Sequence, residues 1–284
     1  MLNKNDKIAI VVCSNGKKIE DKNKLKKLER VLKNMDLIPV FSQYIYEDFF
    51  GRSTSAKVRS NELIKFFEDK NIKAIFDISG GDIANEILEF LDYKIIKENN
   101  KPFFGYSDVS VILNAITTKT ENKTYLYQIL NIIESEEIRE KFQKSLLENK
   151  EDLFYCSYKF LQGETLEGKI VGGNIRCFLK LAGTQYFPNL DNKVLFIEGL
   201  GTTIQGLITH LAQLKQLGAF ENISGLLIGT FTKIEREYSL SDIENIIKDF
   251  VPKNIPIAKT QDIGHSKNSQ VLIIGKNIRY QLSK

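Results

Sequence analysis

Strands and helices alternate through the first half of the chain, and no other feature constrains the fold as strongly. Helical periodicity recurs near residues 22–35, 57–69, 83–91 and 109–119. Each of these helices follows a short apolar run typical of a strand: KIAIVVC, LIPVFSQ, KAIFDIS, and the segment around Phe103 and Phe104. Strands that are apolar throughout and alternate with helices form parallel sheets with helices on both faces. The first half therefore predicts an α/β sheet.

Length and a change of pattern predict two domains. A chain of 284 residues, 42% of them apolar, can bury two moderate cores. We expect an N-terminal α/β domain over 1–150, an irregular connection over 151–168, and a C-terminal domain over 169–284. The C-terminal part has two predicted helices, over 203–217 and 241–250, and short strands: VLFIE, GLLIGTF, QVLIIG, and a paired final strand NIRYQL after the turn GKN.

Charge and apolar content exclude several classes of protein. The formal charge is +4, with both signs interspersed, and the lysine-rich segment 17–33 has apolar residues at helical spacing, so we expect an amphipathic helix and no nucleic-acid binding. No apolar run approaches the ~20 residues needed to span a bilayer, and the stretch Ile8 to Cys13 is too short for a signal peptide. Three cysteines without a CxxC indicate reduced thiols, and we expect a cytoplasmic protein with no membrane partner.

Two of the predicted strand exits have unusual polar chemistry. They are the turn Ser79 to Gly81 and the turn Gly105 to Asp108 (GYSD). Reactive groups of parallel sheets gather at the carboxyl ends of the strands, and the helix that follows supplies amide N–H groups for a developing oxyanion. Ser107 is therefore a candidate nucleophile. Because Val109 replaces the second glycine of a GxSxG motif, a simple helix-capping role for Ser107 or Asp108 is an equal alternative.

A serine nucleophile needs a base and a group that orients it. The chain has two histidines. His210 lies among apolar residues at helical spacing, which indicates a structural role, whereas His265 lies in the glycine-bearing loop DIGHSKNSQ and is the better candidate base. Glu198 ends the apolar strand VLFIE, where a carboxylate is unfavourable unless it is paired. It is the candidate orienting acid, or else the first exposed residue of a loop.

Several of these segments together resemble one known family. The series SGGDIAN, KPFFGYSD, GGN, VLFIEGLG, HLAQLKQLGAF with SGLLIGTF, and IGH is similar, in order and spacing, to the LD-carboxypeptidase and microcin C self-immunity family of serine peptidases. The resemblance implies a flavodoxin-like N-terminal domain with a smaller β-rich C-terminal domain, in a cytoplasmic enzyme that is commonly a homodimer. It also implies a Ser107, Glu198 and His265 triad that needs no metal or other cofactor.

The resemblance extends to the oxyanion hole and the substrate site. It implies backbone N–H donors at Asp108 and Gly81, with Gly80, Asp82 and Asn85 as candidate substrate contacts. The chain departs from the family near these positions: Ser79 stands where an Arg is common, Asp82 stands where an aromatic is common, and GLGTTIQGLITH lacks the acidic residue and Arg that often follow the glutamate.

Three functions remain open from the sequence. The first is an LD-carboxypeptidase that releases terminal D-Ala from a cytoplasmic murein tetrapeptide during peptidoglycan recycling. The second is a hydrolase that cleaves aminoacyl-nucleotide antibiotics, as in microcin C self-immunity. The third is a non-catalytic α/β protein that binds a ligand. We expect a small peptide or a peptide-nucleotide as substrate. The first βα turn, CSNGKK, lacks the GxGxxG of a dinucleotide-binding enzyme.

Overall fold

The predicted alternation forms a mostly parallel sheet in the first half of the chain. The structure is a computed structural model that describes residues 2–282. The order of strands in this first sheet is β11-β5-β4-β3-β1-β2, and only β11 is antiparallel to its neighbour. In chain order its strands are β1 (Lys7–Val11), β2 (Ile38–Phe41), β3 (Ile72–Asp77), β4 (Phe103–Gly105), β5 (Thr124–Leu126) and β11 (Leu272–Ile274).

A second sheet of six strands forms from the rest of the chain. Its order is β12-β7-β8-β9-β10-β6, with β7 to β10 parallel and an antiparallel strand at each edge. Its strands are β6 (Lys159–Gln162), β7 (Thr165–Asn174), β8 (Lys193–Gly199), β9 (Gly225–Phe231), β10 (Ile257–Lys259) and β12 (Asn277–Gln281). The α/β fold with a second, β-rich half is thus confirmed.

Helices cover the sheets close to the predicted positions. The α-helices are α1 (Lys22–Asn34), α2 (Ala56–Glu68), α3 (Tyr93–Glu98), α4 (Ser110–Thr120), α5 (Asn131–Glu134), α6 (Glu136–Leu147), α7 (Ile175–Phe178), α8 (Ile204–Gln216), α9 (Ile234–Glu237) and α10 (Leu240–Phe250). The helix predicted over 83–91 is a 3-10 helix, Ala84–Phe90, and a shorter 3-10 turn, Ser107–Val109, precedes α4. As expected from its periodicity, α1 buries Leu25, Leu28 and Leu32 and leaves its lysines outside.

The boundary between the two halves differs in detail from the sequence prediction. The division at about residue 150 stays a prediction, but residues 151–168 include β6 and the start of β7 and so are only partly irregular. The final hairpin is wrong: β11 pairs with β5 in the first sheet, while β12 pairs with β7 in the second. Gly275, with φ of +82°, lies in the turn between them. The chain therefore crosses from one sheet to the other at this turn.

Helix α4 of the first half packs directly against β7 of the second. The Asn114 side chain accepts a hydrogen bond from the Gly172 N–H at 2.9 Å and donates one to the Gly172 carbonyl at 2.7 Å. The Ser110 hydroxyl accepts from the Asn174 N–H at 3.2 Å. These buried contacts fix β7 against the helix that begins just after Ser107, so the site residues of both halves share one rigid frame.

The three cysteines are buried within the fold. Cys13, Cys156 and Cys177 are all buried and free. Within residues 2–282, no helix is both long enough and apolar enough to cross a bilayer.

Candidate active site

Ser107 lies at a sharp corner between β4 and the helical turn that leads into α4. Its φ is +54°, a left-handed conformation that non-glycine residues rarely adopt, and its side chain is half-buried. The preceding residue, Tyr106, is extended, and its carbonyl accepts the Val109 N–H at 3.0 Å. Strained backbone of this kind persists only where the surroundings enforce it, and it is often found at reactive side chains.

His265 and Glu198 form a buried pair in the second half. The Nδ1 atom of His265 lies 2.7 Å from Oε2 of Glu198, a carboxylate with no exposed surface next to the end of β8. A carboxylate at this distance fixes the Nδ1–H tautomer, which leaves Nε2 as the acceptor. Within residues 2–282, Nε2 is buried and has no hydrogen-bond partner. The imidazole is therefore oriented and has a free basic nitrogen.

Tyr106 connects this pair to the corner of the nucleophile. Its ring lies against the His265 ring with centroids 4.6 Å apart, and its hydroxyl is 3.4 Å from Nδ1. Burial and the Glu198 carboxylate both raise the pKa of the Tyr106 phenol, so it stays neutral. The residue next to Ser107 thus touches the imidazole, and the structure brings all three predicted triad residues into one region.

A glycine explains how the loop carrying His265 comes so close to the sheet. The Ile263 carbonyl accepts a hydrogen bond from the Thr230 N–H of β9 at 3.0 Å. A Cβ on Gly264 would lie 1.7 Å from the Thr230 hydroxyl oxygen, so no larger residue fits. The glycine of the IGH segment therefore sets the position of His265 beside Glu198.

The double-glycine turn is held by Asn15, which the sequence analysis did not single out. The Asn15 N–H donates to the Gly80 carbonyl at 3.2 Å, and its side-chain oxygen accepts from the Asp82 N–H at 2.8 Å. In a planar trans peptide the N–H points opposite to the carbonyl. Anchoring the Gly80 carbonyl therefore directs the Gly81 N–H away from Asn15. Gly81 has φ of +124°, and a Cβ there would lie 2.0 Å from the Asn15 side-chain oxygen.

The carboxylate of Asp108 is fully buried and accepts three hydrogen bonds. The Ser14 hydroxyl and the Ala84 N–H donate to Oδ2 at 2.7 and 2.8 Å, and the Lys180 ammonium donates to Oδ1 at 2.5 Å. Lys180 also donates to the Asp82 carbonyl at 2.7 Å. The side chain of Asp108 is thus committed to this network, and its N–H remains the group expected at the oxyanion.

Arg176 reaches the same turn from the start of α7. Its guanidinium pairs with the Asp82 carboxylate and donates to the Gly81 carbonyl at 3.2 Å. The hydrogen bond from Arg176 to the Asp82 carboxylate, together with the positive charge of Arg176, lowers the pKa of Asp82. The Arg176 side chain is 47% exposed and the Asp82 side chain is 65% exposed, so this ion pair lies at the mouth of the site.

A cavity of about 390 Å³ opens beside Ser107. Its lining residues come from the double-glycine turn, the corner, the junction of β7 with α7, the loop between β8 and α8, and the first turns of α8, namely Gly81, Asp82, Ser107, Asn174, Arg176, Leu200, Gly201, Thr202, Gly206 and His210. His210, for which the sequence predicts a structural role, is one of the residues that line this cavity. Burial, together with the nearby Arg176 charge, lowers its pKa. Its Nδ1 atom is buried without a partner in the described chain.

Not every predicted substrate contact faces this cavity. Asp82 does, as does Gly81, the predicted oxyanion donor, whereas Gly80 and Asn85 do not line it; Asn85 is exposed on the 3-10 helix. Besides Asn15, the residues that sequence reasoning missed are Arg176 and Lys180. The available signal was two cations four residues apart directly after the GGN segment.

In the described part of the chain, the side-chain types that commonly bind metal ions do not cluster. Across residues 2–282 there is no cluster of three or more His, Cys, Asp or Glu side chains with a geometry that could hold a metal ion.

Comparison with solved structures and curated proteins gives three informative relatives. A crystal structure of an MccF-like protein from Bacillus anthracis superposes with a TM-score of 0.88 at 28% identity, covering 100% of this chain and 95% of that one. The Bacillus subtilis protein named "Probable murein peptide carboxypeptidase" is 27% identical over 76% of this chain and 71% of its own length. The microcin C7 self-immunity protein MccF of Escherichia coli is 24% identical over 80% of this chain and 76% of its own length.

Family profiles cover both halves of the chain. The LD-carboxypeptidase N-terminal domain matches residues 8–127, which contain the corner at Ser107 and the double-glycine turn. The LD-carboxypeptidase C-terminal domain matches residues 167–280, which contain Glu198 and His265. With both domains matched in order, and with the fold and the grouping of residues described above, the chain belongs to the LD-carboxypeptidase family.

Proposed function

We propose that the protein hydrolyses an amide bond with Ser107 as nucleophile, His265 as general base and Glu198 as the orienting acid. The observation that carries this proposal is the His265 imidazole, bonded through Nδ1 to a buried carboxylate, with a free Nε2 and in contact with Tyr106, the residue that precedes the strained Ser107. A binding protein needs no such arrangement. A base oriented by a third group is one part of the arrangement that activates a nucleophile.

Each residue has a defined part in the reaction. Nε2 of His265 takes the Ser107 proton as the hydroxyl oxygen attacks the scissile carbonyl, and the Glu198 carboxylate stabilises the imidazolium that forms. The N–H groups of Asp108 and Gly81 donate to the oxyanion, each with a contribution of about 3 kcal/mol in comparable sites. His265 then protonates the departing amine, and a water molecule activated by the same imidazole releases the acyl group from Ser107.

The charges around the cavity favour a substrate with a carboxylate next to the scissile bond. Arg176 and the N-terminal turn of α8 both line the cavity, and both attract anions. Asp82 lines the same cavity and already pairs with Arg176, so a substrate carboxylate would share the guanidinium with Asp82 or displace it. We therefore propose that the chain releases terminal D-Ala from a murein tetrapeptide, as an LD-carboxypeptidase of peptidoglycan recycling. A cytoplasmic location and a homodimeric assembly belong to the same proposal.

A second candidate substrate is an aminoacyl-nucleotide of the microcin C type. The 28% identity to an MccF-like protein over the whole chain supports it. Against it, the described residues that line the cavity include no aromatic ring except the imidazole of His210, so no phenyl, phenol or indole face is available to stack on a nucleobase.

Mass spectrometry after incubation with each substrate separates the two candidates. We expect loss of D-Ala from the tetrapeptide, with Ser107→Ala slower by several orders of magnitude and normally folded. A fluorophosphonate should label the parent at Ser107. Cleavage of the aminoacyl-nucleotide without cleavage of the tetrapeptide would replace the proposed carboxypeptidase substrate with the nucleotide. A Ser107→Ala variant with a rate within about tenfold of the parent would exclude the serine mechanism.

A further inference from the structure

The Asp108 carboxylate gathers donors from three distant parts of the chain. Ser14 follows β1, Ala84 follows the double-glycine turn, and Lys180 belongs to the second half. Lys180 is the only one of these donors that carries a charge, and its side chain is 19% exposed while that of Asp108 has no exposed surface. The ammonium therefore neutralises the buried carboxylate from the side of the other domain.

The same ammonium also holds the double-glycine turn. It donates to the Asp82 carbonyl at 2.7 Å as well as to Asp108 at 2.5 Å. Asp108 supplies one of the two expected oxyanion donors, and the other, the Gly81 N–H, precedes Asp82 by one residue. A single side chain thus bonds to both segments whose N–H groups must converge on one oxygen atom.

Lys180 also comes from the half of the protein that carries the base. It follows α7, which begins directly after β7, and β7 pairs with β8, the strand of Glu198. A cation fixed to this frame and bonded to the nucleophile corner sets the spacing between the two halves of the active site. Displacements of about 1 Å in such an arrangement are enough to slow a reaction by about 10²-fold.

We propose that Lys180 is a positioning residue that holds the two oxyanion-hole segments together and in register with His265 and Glu198. This inference rests on the proposed serine mechanism. It does not depend on which amide is cleaved. Lys180 acts through Asp108 and Asp82 and does not touch the reacting atoms.

A purely structural role would give a different result. If Lys180 only neutralised a buried charge, then removing both charges would restore stability and activity together. If it positions the donors, removing both charges restores stability but leaves the oxyanion hole loose. The double variant Asp108→Asn/Lys180→Met separates these cases, and it remains informative if Lys180→Met alone fails to fold.

The test compares these variants in turnover and in labelling of Ser107. We expect Lys180→Met to lower kcat by about 10- to 100-fold, somewhat less than removal of an oxyanion donor, with KM changed by less than about threefold. Fluorophosphonate labelling should slow in proportion. The double variant should regain the thermal stability of the parent but not its kcat. Lys94→Met, at a lysine whose side chain is 83% exposed, should change none of these quantities.

Two results would overturn the inference. One is a Lys180→Met variant with kcat and labelling rate within about threefold of the parent, a difference below ~0.7 kcal/mol in barrier. The other is a double variant that regains full activity. If the parent is labelled at Ser107 but leaves the tetrapeptide intact, the proposed substrate fails, and the labelling rates still decide the role of Lys180. If the parent is not labelled, the serine mechanism and this inference fail together.

Discussion

Replacing Gly81 by alanine tests the oxyanion hole and its packing in one step. The residue has φ of +124°, and an added Cβ would lie 2.0 Å from the Asn15 side-chain oxygen and 2.3 Å from its Cγ. The strained backbone should destabilise the fold by about 1–3 kcal/mol. Forced movement of Asn15 should add about 1–3 kcal/mol, as other overpacked sites do. We therefore expect a loss of about 2–6 kcal/mol in the free energy of unfolding.

The rate should fall for a separate reason. When the Asn15 side chain moves, its oxygen no longer accepts from the Asp82 N–H, so the turn loses this anchor and the Gly81 N–H turns away from the oxyanion. Loss of one such donor lowers kcat by about 10²- to 10³-fold. Urea unfolding gives the stability, and turnover together with fluorophosphonate labelling at a temperature where the variant is folded gives the rate.

Gly183→Ala is the matched control. Gly183 also has a positive φ, +77°, but a Cβ there would meet no atom within 4 Å. It should show the backbone strain of about 1–3 kcal/mol without an effect on kcat. Asn15→Ala in the Gly81→Ala background removes the two closest contacts and should recover part of the stability. A Gly81→Ala variant that is no less stable than Gly183→Ala, or keeps kcat within about threefold, would refute this reasoning.

Three further substitutions, with His210→Ala as a control, test the base, the acid and the cation of the cavity. His265→Ala should abolish turnover nearly as fully as Ser107→Ala, with little further loss in the double variant. His210→Ala should keep kcat near the parent value. If His210 were essential and His265 dispensable, the choice of base would be overturned. Glu198→Gln should lower kcat by about 10⁴-fold, because a neutral amide does not stabilise the imidazolium, and a loss below tenfold would contradict that role. Arg176→Gln should raise the pKa of His210 toward its usual range, since one of the two causes that lower it is removed and burial remains, and NMR titration of the two histidines measures this shift. The same variant should lower kcat/KM for the tetrapeptide by about 10- to 100-fold through loss of a charge-assisted hydrogen bond, and an unchanged value would exclude Arg176 as the carboxylate site.

The local pattern of the sequence was enough to predict most strands of the first sheet and the helices that pack on it. The runs around β1 and β3 are apolar on both faces, and the periodicity of α1 and α2 lies within two residues of the observed bounds. Patterns of this kind depend on residues that are close together in the chain, so they can be recognised from the sequence alone. The candidate triad residues were also accessible from sequence, because Ser107, Glu198 and His265 each have a polar side chain where packing does not explain one.

Edge strands were harder to predict, because their partners are distant in sequence. β11 is three residues long and pairs with β5 about 150 residues earlier, and nothing local distinguishes it from a strand of the second sheet. The turn at Gly275 divides one predicted hairpin between two sheets. Pairing of short strands depends on which apolar edge is left open once the rest of each sheet has formed.

By itself, the sequence determined the alternating architecture and the identity of the residues with unusual chemistry. Only the tertiary structure decided which other groups contact and neutralise these residues. Lys180 reads as one lysine among many until folding brings its ammonium to the buried Asp108, and Asn15 reads as a loop residue until its side chain fills the space beside Gly81. His210 has the periodicity of a packed helix residue, yet it faces the cavity. Burial and charge pairing arise from residues far apart in the chain, and their energies depend on distances that only the fold sets.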